Sequence, residues 1–399
     1  MAPKLLEGVR VLDLSRTVAA PTGAQMLADL GADVIKVERP GGGDEARAIG
    51  PTFLRDRDGE RTREGSMYLV ANRNKRSITV NLAHPEGQSL IRRLVDCSDV
   101  LIENYKVGDM ARYDLDYESL RKVNPGLIYC SVTGFGQDGP YAGRPGYDPI
   151  FQAMAGWMSV NGSPDGRPMI VASNPADTAG GQHVAIAVLA ALHHRDRNGA
   201  EGQHVDVSLL DVAMSVYAHR ALDYLLTGEQ PRRRGLRGQL YPCADGQMVI
   251  GVANKSQWTR FCEVLGCKEM ADDPRYDTHA ARLRNAAELY PILEELTEKR
   301  TTADLSTALE EAEVPFGPVL DFPALFEGEQ VKARGMRVEV EHPLSGTMPM
   351  VANPLKFSAT PIDDYRPPPL LGQHQHEILC ELLGIEEPEV DRLEKAGAI

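Results

Sequence analysis

A chain of 399 residues, 42% hydrophobic and 25% charged, has the composition of a soluble globular protein with room for about two to three domains and a sizeable core. Its net charge of −14 argues against nucleic acid or an anionic membrane as the main partner, and no stretch approaches the ~20 apolar residues of a membrane span. The N-terminal Met-Ala-Pro-Lys-Leu-Leu-Glu-Gly lacks a signal-peptide core, so the expected compartment is the cytoplasm, and six scattered cysteines without a Cys-x-x-Cys pair suit reduced thiols rather than a zinc site or a disulfide framework.

In chain order, Val9-Arg-Val-Leu-Asp-Leu14 reads as a short strand, Pro21–Leu30 as an amphipathic helix and Ala32–Glu38 as a second strand. Further strands are expected at Ser77–Asn81, Val100–Glu103 and Leu127–Val132, with helices at Glu86–Val95 and Tyr117–Val123 between them. A helix over Val184–His194, a strand at His204–Ser208 and a helix over Leu209–Leu226 continue the alternation. Such a βα pattern predicts an α/β fold with a mostly parallel sheet covered by helices on both faces. At Thr227–Gly238 the composition turns to glycine and arginine, which marks a linker. Beyond it, a strand at Met248–Ala253 and helices near Gln257–Leu265, Ala281–Lys299 and Ala303–Glu311 predict a smaller α+β domain. The tail brings a strand at Met336–Glu341, a Pro-rich turn at Pro367–Pro369 and a closing helix from Glu377. The expected division is residues 1–226, 227–325 and a 326–399 segment returning to the first domain.

Several motif-like stretches lack the context their chemistry needs. Gly134-Phe-Gly-Gln-Asp-Gly139 matches G-x-G-x-x-G after a strand, but Pro140 and Pro145 stand where a dinucleotide site requires a helix. Gly41-Gly-Gly43 has no Lys-Ser/Thr partner for a phosphate loop. No G-x-S-x-G nucleophile elbow is present. His193-His194 and His374-Gln-His376 are read as ordinary histidines rather than metal ligands.

The segment Ser173-Asn-Pro-Ala-Asp-Thr-Ala-Gly-Gly181 places one carboxylate, Asp177, in the first turn of an apolar helix. There it is expected to face free backbone N–H groups and the positive helix end and to stay ionised, with Gly180 and Gly181 leaving its approach open. The plainer alternative is an ordinary aspartate at a helix start. Asp177 takes on more meaning beside Gly8–Ser15, Met26–Pro40, Asn74-Lys-Arg-Ser77, Glu103-Asn-Tyr105, Asn124–Tyr129, Thr133–Gly136, Tyr147–Gln152, Gly199–Gln203 and Pro369–His374. With these segments in this order, the chain resembles the class III (CaiB/BaiF-type) coenzyme A transferases, nearly end to end.

The resemblance implies a formyl-CoA-transferase-like fold: a Rossmann-like large domain built from both chain ends, a small inserted domain and an interlocked homodimer. It implies that Asp177 is the nucleophile, with coenzyme A as substrate and product thioester and neither metal nor nicotinamide. The implied CoA contacts are Val18, Ala19, Arg39, Val80, Asn81, Leu82, Asn104, Tyr105, Lys106, Arg112, Gly146, Tyr147 and Asp148. Most lie at carboxyl ends of predicted strands, the usual ligand crevice of an open α/β sheet. Arg39 and Arg112 read equally as surface charges, Asn81 and Asn104 as strand ends, and Tyr105 as a core aromatic.

An aspartate with an ordinary pKa near 3.9 needs no partner base, and positioning against a thioester supplies effective molarities on the order of 10⁵–10⁸ M. Backbone N–H groups at the helix start are expected to take the developing oxyanion. The predicted reaction passes CoA from an acyl-CoA to a carboxylic acid through an aspartyl–acyl anhydride and an aspartyl-CoA thioester. Val18, where the formyl-CoA branch has glutamine, and the short Leu240–Gly246 loop, where that branch has a glycine run, argue against formate and oxalate. Arg16, Arg144 and Arg237 are candidates to hold a second carboxylate, which favours a small dicarboxylate with succinyl-CoA as donor. Two alternatives remain: a 2-methylacyl-CoA racemase, which would need a histidine base where Tyr147 stands, and a non-catalytic acyl-CoA-binding protein.

Overall fold

The computed structural model describes residues 4–162, 166–199, 201–231, 233 and 239–399. Its centre is a six-stranded sheet of β1 (Arg10–Asp13), β2 (Asp33–Glu38), β3 (Arg76–Thr79), β4 (Val100–Glu103), β5 (Ile128–Thr133) and β6 (His204–Ser208). Every neighbouring pair is parallel. The spatial order β3-β2-β1-β4-β5-β6 is the 3-2-1-4-5-6 order of a doubly wound fold, and its direction reverses between β1 and β4. β4 and β5 are buried along their whole length, as central strands covered on both faces must be.

One face packs against α1 (Ala19–Asp29), α3 (Asp148–Met154), α4 (Pro175–Asn198) and α5 (Leu209–Val216). The other packs against α2 (Pro85–Asp96) and the C-terminal segment, including α10 (Glu387–Lys395). α1 and α4 meet through small residues. A Cβ on Gly181 would lie 2.7 Å from the Ala19 carbonyl oxygen, one on Gly180 2.4 Å from Leu209, and one on Gly23 2.7 Å from Val184. These glycines therefore permit close helix packing. They do not leave an open approach to Asp177, contrary to the expectation from sequence.

The predicted helix over Leu209–Leu226 is broken at Tyr217 into α5 and α6 (Ala218–Thr227). Tyr217 stacks on the buried Trp157 with ring centroids 4.7 Å apart. The predicted helix over Ala281–Lys299 is likewise interrupted at Asn285, whose amide group donates to Arg275 O and Ala281 O.

The chain divides into two compact units. The first comprises residues up to Ser159, Ile170–Pro231 and Arg334–Ile399; the second comprises Val160–Met169 and Arg232–Ala333. In the second, β7 (Leu240–Cys243), β8 (Gly246–Ile250) and β9 (Phe316–Pro318) form an antiparallel sheet. Helices α7 (Lys255–Leu265), α8 (Ala286–Thr297) and α9 (Thr302–Glu311) share its core. Leu240–Gly246, read from sequence as a loop, is a strand and tight turn.

In the first unit the C-terminal segment lies along β3, the edge of the sheet. Gln375 accepts from Thr79 N (2.7 Å) and donates to Thr79 O (3.1 Å), while Ser77 N donates to His374 Nδ1 (3.1 Å) and Ser77 O accepts from His374 N (2.9 Å).

Candidate active site

The loops leaving β1, β2, β3 and β4 enclose a cleft of about 180 Å³ at the carboxyl edge of the sheet. It is lined by Arg16, Arg39, Val80, Asn81, Leu82, Tyr105 and Tyr113, among others. The turn after β1 is held from both sides. Asn104 accepts from Arg16 N (2.9 Å) and donates to Arg16 O (2.8 Å); Asp44 accepts from Thr17 N (3.0 Å) and Ala46 N (2.9 Å). Asp44 is in turn paired at 2.8 Å with the fully buried Lys36. Burial opposes both charges, but each partner holds the other ionised, with the Lys36 ammonium above its ordinary range and the Asp44 carboxyl below its own. This brace keeps Thr17 at φ +66°, a conformation that a β-branched residue holds only under such constraint.

Arg39 is exposed at the mouth and forms no ion pair among the described residues. The Arg16 guanidinium lies 4.6 Å from the Tyr105 ring centre and 3.1 Å from Glu45. An acidic chain thus presents an uncommitted cation beside an aromatic face, suited to a phosphate and a flat ring.

Asp177 is the third residue of α4, after Ser173 and Asn174 at positive φ. The expected free N–H groups there are already taken. Asp148 Oδ2 accepts from Ala176 N (2.7 Å) and Asp177 N (3.0 Å), and Thr178 N donates to Asn174 O. Asp148 is itself buried and held by Gln152, which also pairs with both backbone groups of Val171. The helix start therefore carries a carboxylate cap from another element and offers no spare donor for an oxyanion. The Asp177 carboxylate is half-buried, without a hydrogen bond to any described residue, and is pushed up to about 7 by burial and then by the like charge of Asp148. The sequence expectation of an aspartate ionised like a free one is corrected accordingly: desolvation and a neighbouring acid outweigh the helix dipole.

Arg39, Val80, Asn81, Leu82 and Tyr105 come together in the one cleft, with Asn104 bracing the turn behind it. The Asn81 side chain is engaged with Gly397 O and Ala83 N. Lys106, exposed, faces a neighbouring cleft of about 240 Å³ that it shares with Tyr105, Glu103 and His204. Arg112 lies apart, exposed and paired with Asp109 at 3.2 Å. Val18 and Ala19 are buried, and Ala19 belongs to α1 itself rather than to the preceding turn. Gly146 packs on Phe151, Tyr147 is 73% exposed, and Asp148 is the α4 cap just described. Arg144 is stacked on Tyr141, and Arg237 falls outside the described residues. Sequence reading missed Tyr113, Asp44 and the capping role of Asp148. The Asp148–Gln152 spacing of four on a short helix was the available signal for that last pair.

The CoA-transferase family III model matches residues 6–375. The succinate–glutarate CoA-transferase of Agrobacterium fabrum is 47% identical over 96% of this chain and 96% of its own length. The succinyl-CoA–D-citramalate CoA-transferase of Chloroflexus aurantiacus is 37% identical over 100% of this chain and 98% of its own. The crystal structure of a CAIB/BAIF family protein from Brucella suis superposes with a TM-score of 0.86 at 40% identity, covering 95% of this chain and 100% of that one. The match of fold and sequence along almost the whole length leaves one assignment: the chain belongs to CoA-transferase family III and is an enzyme that moves coenzyme A from an acyl-CoA to a carboxylic acid.

Proposed function

We propose that Asp177 is the nucleophile of this transfer, and that the donor is succinyl-CoA and the acceptor a small dicarboxylate such as glutarate. The observation that carries the assignment is the Asp177 carboxylate itself: half-buried, unpaired, and fixed in the first turn of a long helix at the carboxyl edge of the sheet. Its ionised oxygen attacks the thioester carbonyl and expels CoA thiolate, giving an aspartyl–acyl anhydride. The thiolate then attacks the aspartyl carbonyl, releasing the donor acid and leaving an aspartyl-CoA thioester. The acceptor carboxylate attacks that thioester, expelling CoA thiolate and forming a second anhydride; the thiolate then attacks the acceptor carbonyl, giving the new acyl-CoA and freeing Asp177. The acyl-transfer energy of the thioester is held in each anhydride and returned to a thioester, so the exchange calls for no ATP, metal or nicotinamide.

In this reading the cleft of Arg39, Val80–Leu82 and Tyr105 receives the nucleotide end of CoA, with Arg39 on a phosphate. Asn104 and Asp44 shape the turn, and Asp148 fixes the backbone under Asp177 without touching substrate. The names of the two relatives, both transferring CoA to or from dicarboxylates, favour that acceptor class. Racemisation and mere acyl-CoA binding are the weaker readings. Tyr147 stands where a racemase would need its base, and a pure binding protein has no use for a half-buried acid that pairs with none of the described residues. An interlocked homodimer in the cytoplasm is part of the proposal: Leu222, Leu225 and Leu226 on α6 are 51%, 75% and 77% exposed in the single chain, an apolar row suited to a second copy.

The test is a donor–acceptor matrix read by mass spectrometry, combined with hydroxylamine trapping. Acyl-CoA plus hydroxylamine is expected to modify the peptide containing Asp177, and Asp177→Asn to abolish transfer while CoA binding stays within a few fold. Turnover near wild type in Asp177→Ala would remove the aspartate from the mechanism.

A further inference from the structure

Far along the chain from Asp177, the C-terminal segment brings three side chains of different donor type together. His376 and Cys380 sit four residues apart at a π-helical turn, Glu377–Leu382, and Glu387 opens α10. Their Nδ1 or Nε2, Sγ and carboxylate oxygen atoms all lie within 4.8 Å of one another. His376 Nδ1 is 2.7 Å from Glu387 Oε2, and Cys380 Sγ is 3.6 Å from Glu387 Oε1. Tetrahedral zinc with bonds of roughly 2.0–2.3 Å needs donors about 3.3–3.8 Å apart, a separation that the distances within this group bracket. His376 and Glu387 are exposed and Cys380 half-exposed, which gives an ion a direct path. Glu377, Glu381 and Glu386, all exposed, add negative charge along the same segment.

We propose that His376, Cys380 and Glu387 form a binding site for a divalent transition metal of the zinc class, with water in the fourth position. Imidazole, thiolate and carboxylate together select such an ion over magnesium or calcium, which prefer oxygen alone. Binding displaces the Cys380 proton and forms a metal–sulfur bond, while the metal replaces the hydrogen bond between His376 and Glu387.

The site has a structural consequence for the cleft. It joins the π turn, whose Ile378 and Leu379 are buried, to α10, whose Val390 and Leu393 pack in the same cluster. The chain after α10 then reaches the cleft wall, where Asn81 N donates to Ala398 O (2.8 Å) and Asn81 Nδ2 to Gly397 O (3.0 Å). A metal here would therefore clamp the segment that supports one wall of the cleft.

The full-length protein, stripped with chelator under reducing conditions, is titrated with Co²⁺ and then Zn²⁺. One equivalent of Co²⁺ is expected to give a thiolate-to-cobalt absorption band that Zn²⁺ abolishes. Cys380→Ser should lose the band, and His376→Ala should weaken Zn²⁺ binding at least tenfold. Zn²⁺ should also raise the melting temperature of the wild type but not of Cys380→Ser, and Cys97→Ser, the control for the other half-exposed thiol, should behave as wild type. A wild type that gives no thiolate band, or a band that survives Cys380→Ser, overturns the proposal; so does Zn²⁺ affinity unchanged by His376→Ala.

Discussion

Replacing Asp148 with asparagine tests how the proposed nucleophile, Asp177, is tuned. The amide keeps one oxygen to accept from the α4 N–H groups but removes the like charge that acts on Asp177. The Asp177 carboxyl rises from 3.8 to about 7, a difference of roughly 3 pH units, or about 4 kcal/mol between its two protonation states. Burial is the larger of the two causes and Asp148 the smaller, so the like charge supplies the lesser part of this rise. In the proposed mechanism only the ionised Asp177 carboxylate attacks, so kcat/KM for transfer is expected to rise with pH through about 7 and then level off. In Asp148→Asn the same limb should move to lower pH, by less than half of the wild-type displacement. The assay is initial-rate CoA transfer from succinyl-CoA between about pH 5.5 and 9 at saturating acceptor, a range that brackets the ionisation on both sides. Circular dichroism checks the folded state of the variant. A wild-type profile flat through this range, or a limb that Asp148→Asn leaves in place, would refute the account. A limb moving upward would mean that the lost cap matters more than the lost charge.

Three further outcomes are expected. Arg39→Ala should raise the KM for several acyl-CoAs with little change in kcat, losing about 1.5–3 kcal/mol or roughly 10- to 150-fold in kcat/KM; an unchanged KM would place this guanidinium outside the site. Gly181→Ala forces a methyl to 2.7 Å from the Ala19 carbonyl and should destabilise the protein by about 1–3 kcal/mol in urea unfolding, whereas a neutral result would show that α1 and α4 can separate freely. With a chiral 2-methylacyl-CoA in D₂O the α position should stay undeuterated, and rapid deuterium incorporation without an acceptor would instead establish racemase chemistry.

Local pattern carried the strands well. Val100–Glu103, an apolar run, and His204–Ser208, in which valines alternate with polar residues, have the bounds read from sequence. The spatial order of the strands could not be read, since periodicity says which face a residue occupies and nothing about which strand lies beside it. At the candidate site, Asp177 and the Arg39–Tyr105 group were singled out by the family resemblance, and the structure gathers Arg39, Val80–Leu82 and Tyr105 in one cleft. Sequence could not show that Asp148, 29 residues earlier, takes the N–H groups at the start of α4, so the environment of Asp177 was misjudged although its position was right. The reading of Gly180 and Gly181 failed in the same way: a glycine signals close approach, but not whether by a ligand or by another helix.

The lining of β3 by the C-terminal segment bears on how the molecule can be made. Gln375 and His374 occupy hydrogen-bonding groups that an exposed sheet edge would otherwise offer to another chain. These contacts span almost 300 residues, between Ser77 or Thr79 and His374 or Gln375. During synthesis, β3 emerges long before the residues that guard it, and the nascent chain carries an unprotected edge until His374 and Gln375 have left the ribosome. Chains that terminate early, near Tyr365, should therefore be lost to edge-to-edge association rather than accumulate as a stable, merely inactive core.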